Sequence, residues 1–184
     1  MSTTLIASLV LLCLIGFSNA SNCTECPLLP AATSSLGMLL IAGNKDWYVQ
    51  QRYGPPIVAE KCWSSSLYVS DFSVLENAMN ANWTFYDPNE KSPCSRVKMN
   101  VIANSAKFYV VLNNKEITIT NLIVEPELLA ASLCSDSKST VIIVTSQKKR
   151  DNSLIERAVK RLKKIITLPS PAVDMECDKL VCEE

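Results

Sequence analysis

From Lys45 to Ser146 the apolar residues recur at every second position. That period restricts the backbone to extended strands with one buried face, because successive side chains of a strand point to opposite sides. Glu116, Thr118 and Thr120 alternate with Ile117 and Ile119; Arg96, Lys98 and Asn100 alternate with Val97, Met99 and Val101; Lys107 precedes Phe108, Val110 and Leu112. Eight such stretches follow one another: KDWYVQQRY, KCWSSSLYVSDF, NANWTFYD, SRVKMNVIA, AKFYVVLN, KEITITNLIV, ELLAASLC and STVIIVTS. They are rich in β-branched and aromatic residues, and the turn-formers between them leave only short connections. Short connections favour hairpins, hence an antiparallel up-and-down order. The expected fold is therefore mostly β, an eight-stranded antiparallel barrel that closes on itself and leaves no edge. A two-sheet sandwich satisfies the same alternation.

An outward Asn82 would place Met79, Ala81, Trp83 and Phe85 inside. On the same parity the candidate lining of the barrel is Trp83, Phe85, Met99, Phe108, Val110, Ile117 and Ile119, with Tyr53 and Trp63 near the mouth.

The first twenty residues set the expected compartment. Leu5 to Phe17 is apolar and uncharged, and Ser18 and Ala20 suit a signal peptidase, so 1–20 reads as a secretory leader. About 160 residues remain, the size of one well-packed domain spanning 21–184. Two sequons, at Asn22 and Asn82, agree with a secreted, extracellular glycoprotein. Eighteen basic residues balance eighteen acidic ones, which argues against a nucleic-acid partner. No segment after the leader is long enough to span a bilayer.

The chain has no histidine. This removes Ser-His-Asp and Cys-His catalysis, His-ligated zinc or copper, and haem on a proximal histidine. A free cysteine thiol would lack a base, and most carboxylates fall in loops or on the outer face. No enzyme, metal or cofactor is expected.

One helix is expected over about 153–166, before a tail at 167–184. Ser153 and Glu156 have the spacing of a capping box, and Ile155, Ala158, Val159, Leu162, Ile165 and Ile166 form an apolar stripe. Lys148 to Lys164 holds eight basic residues against Asp151 and Glu156. The stripe is expected to pack on the barrel wall, leaving a solvated basic face.

Several stretches resemble the lipocalins, in particular the secreted arthropod type related to apolipoprotein D and insecticyanin. Gly43 to Trp47 resembles the first-strand glycine–tryptophan motif, although the spacing is wider. Gln51-Arg52-Tyr53, the proline-bearing loop and Lys61-Cys62 resemble the first hairpin; Cys26-Pro27 and Ser132-Leu133-Cys134 also match. The resemblance implies disulfides Cys26–Cys134 and Cys62–Cys177. That leaves Cys23, Cys94 and Cys182, which allow three single pairings; Cys23 with Cys182, leaving Cys94 free or bridged to another chain, is the one favoured among them. The resemblance also implies a carrier of a small hydrophobic or amphipathic ligand: a fatty acid, sterol, retinoid or tetrapyrrole. The competing reading is a secreted interaction or inhibitory protein acting through its loops or as a disulfide-linked dimer.

Overall fold

A computed structural model describes residues 26–34, 37, 38, 41, 43, 45–57, 61–67, 78–86, 94–104, 107–112, 114–175, 177–179 and 182. The expected leader, Asn22 and Cys23 lie outside the described residues. The strands are β1 (Lys45–Tyr53), β2 (Cys62–Leu67), β3 (Ala78–Tyr86), β4 (Cys94–Asn104), β5 (Lys107–Leu112), β6 (Lys115–Val124), β7 (Leu128–Ser135) and β8 (Lys138–Thr145), then helix α1 (Asn152–Leu162) and β9 (Ala172–Asp174). Each of the first seven strands pairs antiparallel with the next, and β1 pairs with both β2 and β8, so the first eight close into a ring.

The sheet has nine strands rather than the eight expected. β2 covers only Lys45–Tyr48 of its neighbour. The edge left at Gln51–Tyr53 is taken by β9, in register Gln51↔Asp174 to Tyr53↔Ala172. At three residues, β9 is too short to show alternation.

A two-residue turn at Asp136 and Ser137, both at positive φ, joins β7 to β8. Positive φ at both positions matches the right-handed twist of the flanking strands. Lys115 Nζ donates to Asp136 Oδ2 at 2.7 Å, and this hydrogen bond and charge hold the Asp136 carboxyl below its ordinary range.

The buried residues form two layers. Inside the ring sit Trp47, Trp63, Ala81, Trp83, Phe108 and Leu133, among others. Outside it, Ile123, Leu128, Ala130, Val141 and Ile143 pack under Ile155, Ala158 and Leu162 of α1. This second layer explains why β7 is buried at every position. An uninterrupted apolar run is what a strand covered on both faces requires. Thr120 and Ser132, on outward polar positions, are also buried. The entry segment covers this side: Ala32 N–H donates to the Asn121 carbonyl at 2.8 Å, and Leu29 packs on the outer layer.

The helix departs from expectation at both ends. Its cap is Asp151, not Ser153: Asp151 Oδ1 accepts from the backbone N–H groups of Ser153 and Leu154 at 2.9 and 3.2 Å. The helix stops at Leu162, and the chain turns tightly through Ile166 by bonds back to Arg161 and Leu162. Ile165 is consequently 39% exposed instead of completing the stripe. The basic face is partly neutralised by the barrel. Arg157 and Arg161 both bond the carboxylate of Glu125, and Arg150 bonds Asp174.

Bonds from the Ser153 hydroxyl and the Leu154 amide hold the Asp151 carboxyl below the ordinary aspartate range. A depressed folded pKa gives stability above the unfolded value that is lost as pH falls through the folded one. Asp151→Ala is thus expected to lower the melting temperature at neutral pH. The gap from wild type should narrow below about pH 4 and close under the depressed value, as followed by circular dichroism melts across pH.

Cys26–Cys134 and Cys62–Cys177 are bonded, as the resemblance implied. The third bridge corrects an expectation: Cys94 is neither free nor available to another chain, because it pairs with Cys182. A Cys23–Cys182 bond is thereby excluded. Cys62 and Cys94 flank Tyr86 in the β2–β3–β4 register, so the two bridges fasten Cys177 and Cys182 to neighbouring positions on those strands. No helix among the described residues is long and apolar enough to cross a membrane.

Candidate ligand cavity

A cavity of about 90 Å³ lies inside the ring. Trp47 and Val49 from β1, Trp63 and Ser65 from β2, and Trp83 from β3 form one side. Val101, Phe108, Ile119 and Asn121 continue the wall across β4, β5 and β6. Leu129, Ala131 and Leu133 of β7 with Ile142 and Val144 of β8 complete it, and Met38 closes it from the entry segment. All three tryptophans of the chain are lining residues. Only Ser65 and Asn121 among the described lining residues are polar, and none is charged.

Four of the candidates read from sequence line the cavity: Trp63, Trp83, Phe108 and Ile119. Val110 and Ile117 point inward but stand one inward step nearer the β5–β6 turn than Phe108 and Ile119, and there side chains fill the barrel. Phe85 belongs to the same filling. Its ring stacks on Trp63 with centroids 6.0 Å apart, while Trp63 and Trp83 meet edge to face at 4.5 Å. Offset and edge-on arrangements suit the ring quadrupoles and leave little space. The Met99 side chain lies outside the described residues.

Tyr53 is a correction. Trp47 and Val49 face inward, so simple alternation puts Tyr53 inside. A bulge intervenes, with Val49 opposite Val144 but Gln51 opposite Ile143. The extra residue, Gln50, shifts the parity by one. It is buried and donates from Nε2 to the carbonyls of Gln147 and Lys148 at 3.0 and 3.3 Å. Arg52, opposite inward Ile142, becomes the buried residue, while Tyr53 packs with the outer layer beside α1. Burial and the nearby Asp174 carboxylate raise the Tyr53 phenol above its ordinary value.

Asn121 was not among the candidates. A bulge between Asn121 and Ile123 keeps it opposite inward Ala131 while Ile123 turns outward to the helix. Within KEITITNLIV it is also the odd-numbered residue that continues Ile117 and Ile119, so alternation alone places it inside. Asn82 is exposed on the outer face of β3. Among the described residues no cluster of cysteine, aspartate or glutamate has a metal-binding arrangement.

No protein-family model and no characterised protein sequence matches the chain. Solved structures do. One is the tryptamine complex of the amine binding protein of Rhodnius prolixus, with a TM-score of 0.57 at 11% identity over 81% of this chain and 85% of that one. Another is a biogenic amine-binding protein in its selenomethionine form, with a TM-score of 0.57 at 10% identity over 81% and 86% of the two chains. The fold is lipocalin-like. At such identity the likeness concerns the path of the chain and not the contents of the barrel.

Proposed function

We propose that the protein is a secreted, non-catalytic carrier that holds one small hydrophobic or amphipathic molecule inside the barrel. The observation that carries this reading is the cavity inside the ring of strands, whose described lining is apolar except for Ser65 and Asn121. Ligand sites combine an apolar wall with a few placed polar groups in this way. The absence of histidine from the whole chain supports a non-catalytic role.

Size narrows the guest. An apolar void of ~150 Å³ takes up benzene, so a cavity of about 90 Å³ admits one ring or a slim acyl chain only with a modest outward movement of its wall. Met38, an unbranched and adaptable side chain, is the wall residue most easily displaced. A sterol or tetrapyrrole requires the Trp63–Trp83–Phe85 cluster to swing away, which favours the slimmer classes.

The two structural neighbours are named for amines. No carboxylate lines the cavity here among the described residues. A buried ammonium without a counter-charge is strongly disfavoured, so this barrel suits neutral guests better than cationic ones.

Because all three tryptophans touch the cavity, intrinsic fluorescence reports on it directly. Titration with a panel of fatty acids and one-ring compounds is expected to give saturable change. A spectrum that no member of the panel alters would remove the carrier reading.

A further inference from the structure

Asn121 is 3% exposed and sits inside a wall otherwise apolar on its side of the barrel, among Ile119, Ala131 and Leu129. Its backbone carbonyl is engaged by Ala32 on the outside. Its side-chain amide makes no hydrogen bond to another described residue and faces the cavity. Leaving a buried amide unpaired costs free energy comparable to the loss of a hydrogen bond, so burying one in the cavity wall makes sense when a guest completes it. The other polar lining residue, Ser65, is on β2. In a ring of eight strands β2 and β6 are opposite each other, so Ser65 does not reach across to satisfy Asn121.

We propose that Asn121 is the specificity-determining residue of the cavity and selects a neutral guest with an apolar body and a hydroxyl, carbonyl or amide group. This rests on the carrier reading above. The amide offers both an acceptor oxygen and donor hydrogens, so it serves either partner of a hydrogen bond but neutralises no charge. A pure hydrocarbon leaves the amide unpaired. An ammonium ion enters without a counter-charge among the described lining residues. Both are selected against relative to a neutral hydrogen-bonding molecule of the same shape.

p-Cresol and p-xylene have nearly the same shape and differ in replacing a methyl by a hydroxyl. In a wholly apolar void the hydroxyl is lost to water without compensation, and the hydrocarbon wins by about tenfold or more. With Asn121 as a partner that penalty is offset. Isothermal titration calorimetry of the intact disulfide-bonded protein is expected to show p-cresol binding at least as tightly as p-xylene. In Asn121→Leu, which keeps the side-chain volume, the ratio of the two dissociation constants should move about tenfold toward p-xylene, with p-xylene binding retained.

An unchanged ratio in Asn121→Leu overturns the assignment and leaves the carrier reading standing. The same holds if the ratio shifts in Ser65→Ala and not in Asn121→Leu. Should the leucine variant fail to fold, wild type alone decides: p-xylene ahead by tenfold overturns the proposal, and p-cresol equal or ahead supports it. If neither guest binds wild type, the carrier reading fails for molecules of this size and the assignment fails with it.

Discussion

Replacing Cys62 and Cys177 together by alanine is expected to lower the stability of the fold by roughly 4 to 5 kcal/mol. The bridge joins residues 115 positions apart, and a cross-link over so long a loop removes much of the freedom of the unfolded chain. Both cysteines are fully buried. The bond also holds the tail so that Met175 reaches the inner core and β9 pairs with β1. The comparison is with the Cys94–Cys182 double variant, whose separation of 88 residues gives nearly the same closure entropy because that cost grows only as the logarithm of length. Its sulfurs lie at half-buried positions. The difference between the two variants in urea denaturation therefore reads the packing at Cys62 and Cys177 alone. A loss under about 1 kcal/mol for the first variant would show that the bridge is not what fixes the tail.

Ile143→Ala is expected to cost about 2 to 5 kcal/mol. Ile143 points away from the barrel interior, yet it is fully buried beneath Ile155, Ala158 and Leu162 of α1. Truncation removes three carbons from a layer with no water to replace them, and the spread reflects how far the helix settles into the gap. Ile102 provides the control. It also points outward, from β4, but it is 50% exposed because nothing described covers it. Its replacement by alanine should stay within about 0.5 kcal/mol. Chemical denaturation of both variants tests whether α1 is an integral part of the core; similar small losses would reduce it to a surface ornament.

The barrel itself was legible because alternation is a property of single strands. KEITITNLIV and KDWYVQQRY match β6 and β1 end to end. What could not be read were events that depend on a second segment. The bulge at Gln50 has no local signature; the residue is accommodated because the carbonyls of Gln147 and Lys148 lie beside it, almost a hundred positions along. That single insertion exchanged Tyr53 for Arg52 on the inner face. Thr120 looked solvent-facing until the entry segment crossed over it. Asp151 displaced Ser153 as the cap because the choice between neighbouring oxygens follows the approach of the chain. The candidate site shows the same division. Parity correctly sent Phe85, Val110 and Ile117 inward, but whether an inward side chain lines a void or fills it depends on all its neighbours together. Asn121 continues the inward parity of Ile117 and Ile119, but a polar side chain on that parity carries no local sign that it is buried.

The shared edge of β1 bears on the order in which the ring can be finished during synthesis. The chain leaves the ribosome from its N-terminus, and β1 to β8 can pair as they appear. The stretch Gln51–Tyr53 must wait for Ala172–Asp174, made some 120 residues later. Until then its amides and carbonyls form a short open template for another nascent chain. The segment that closes that template lies just before Cys177 and Cys182, so completion of the sheet and oxidation of those two cysteines fall at the same moment of biogenesis.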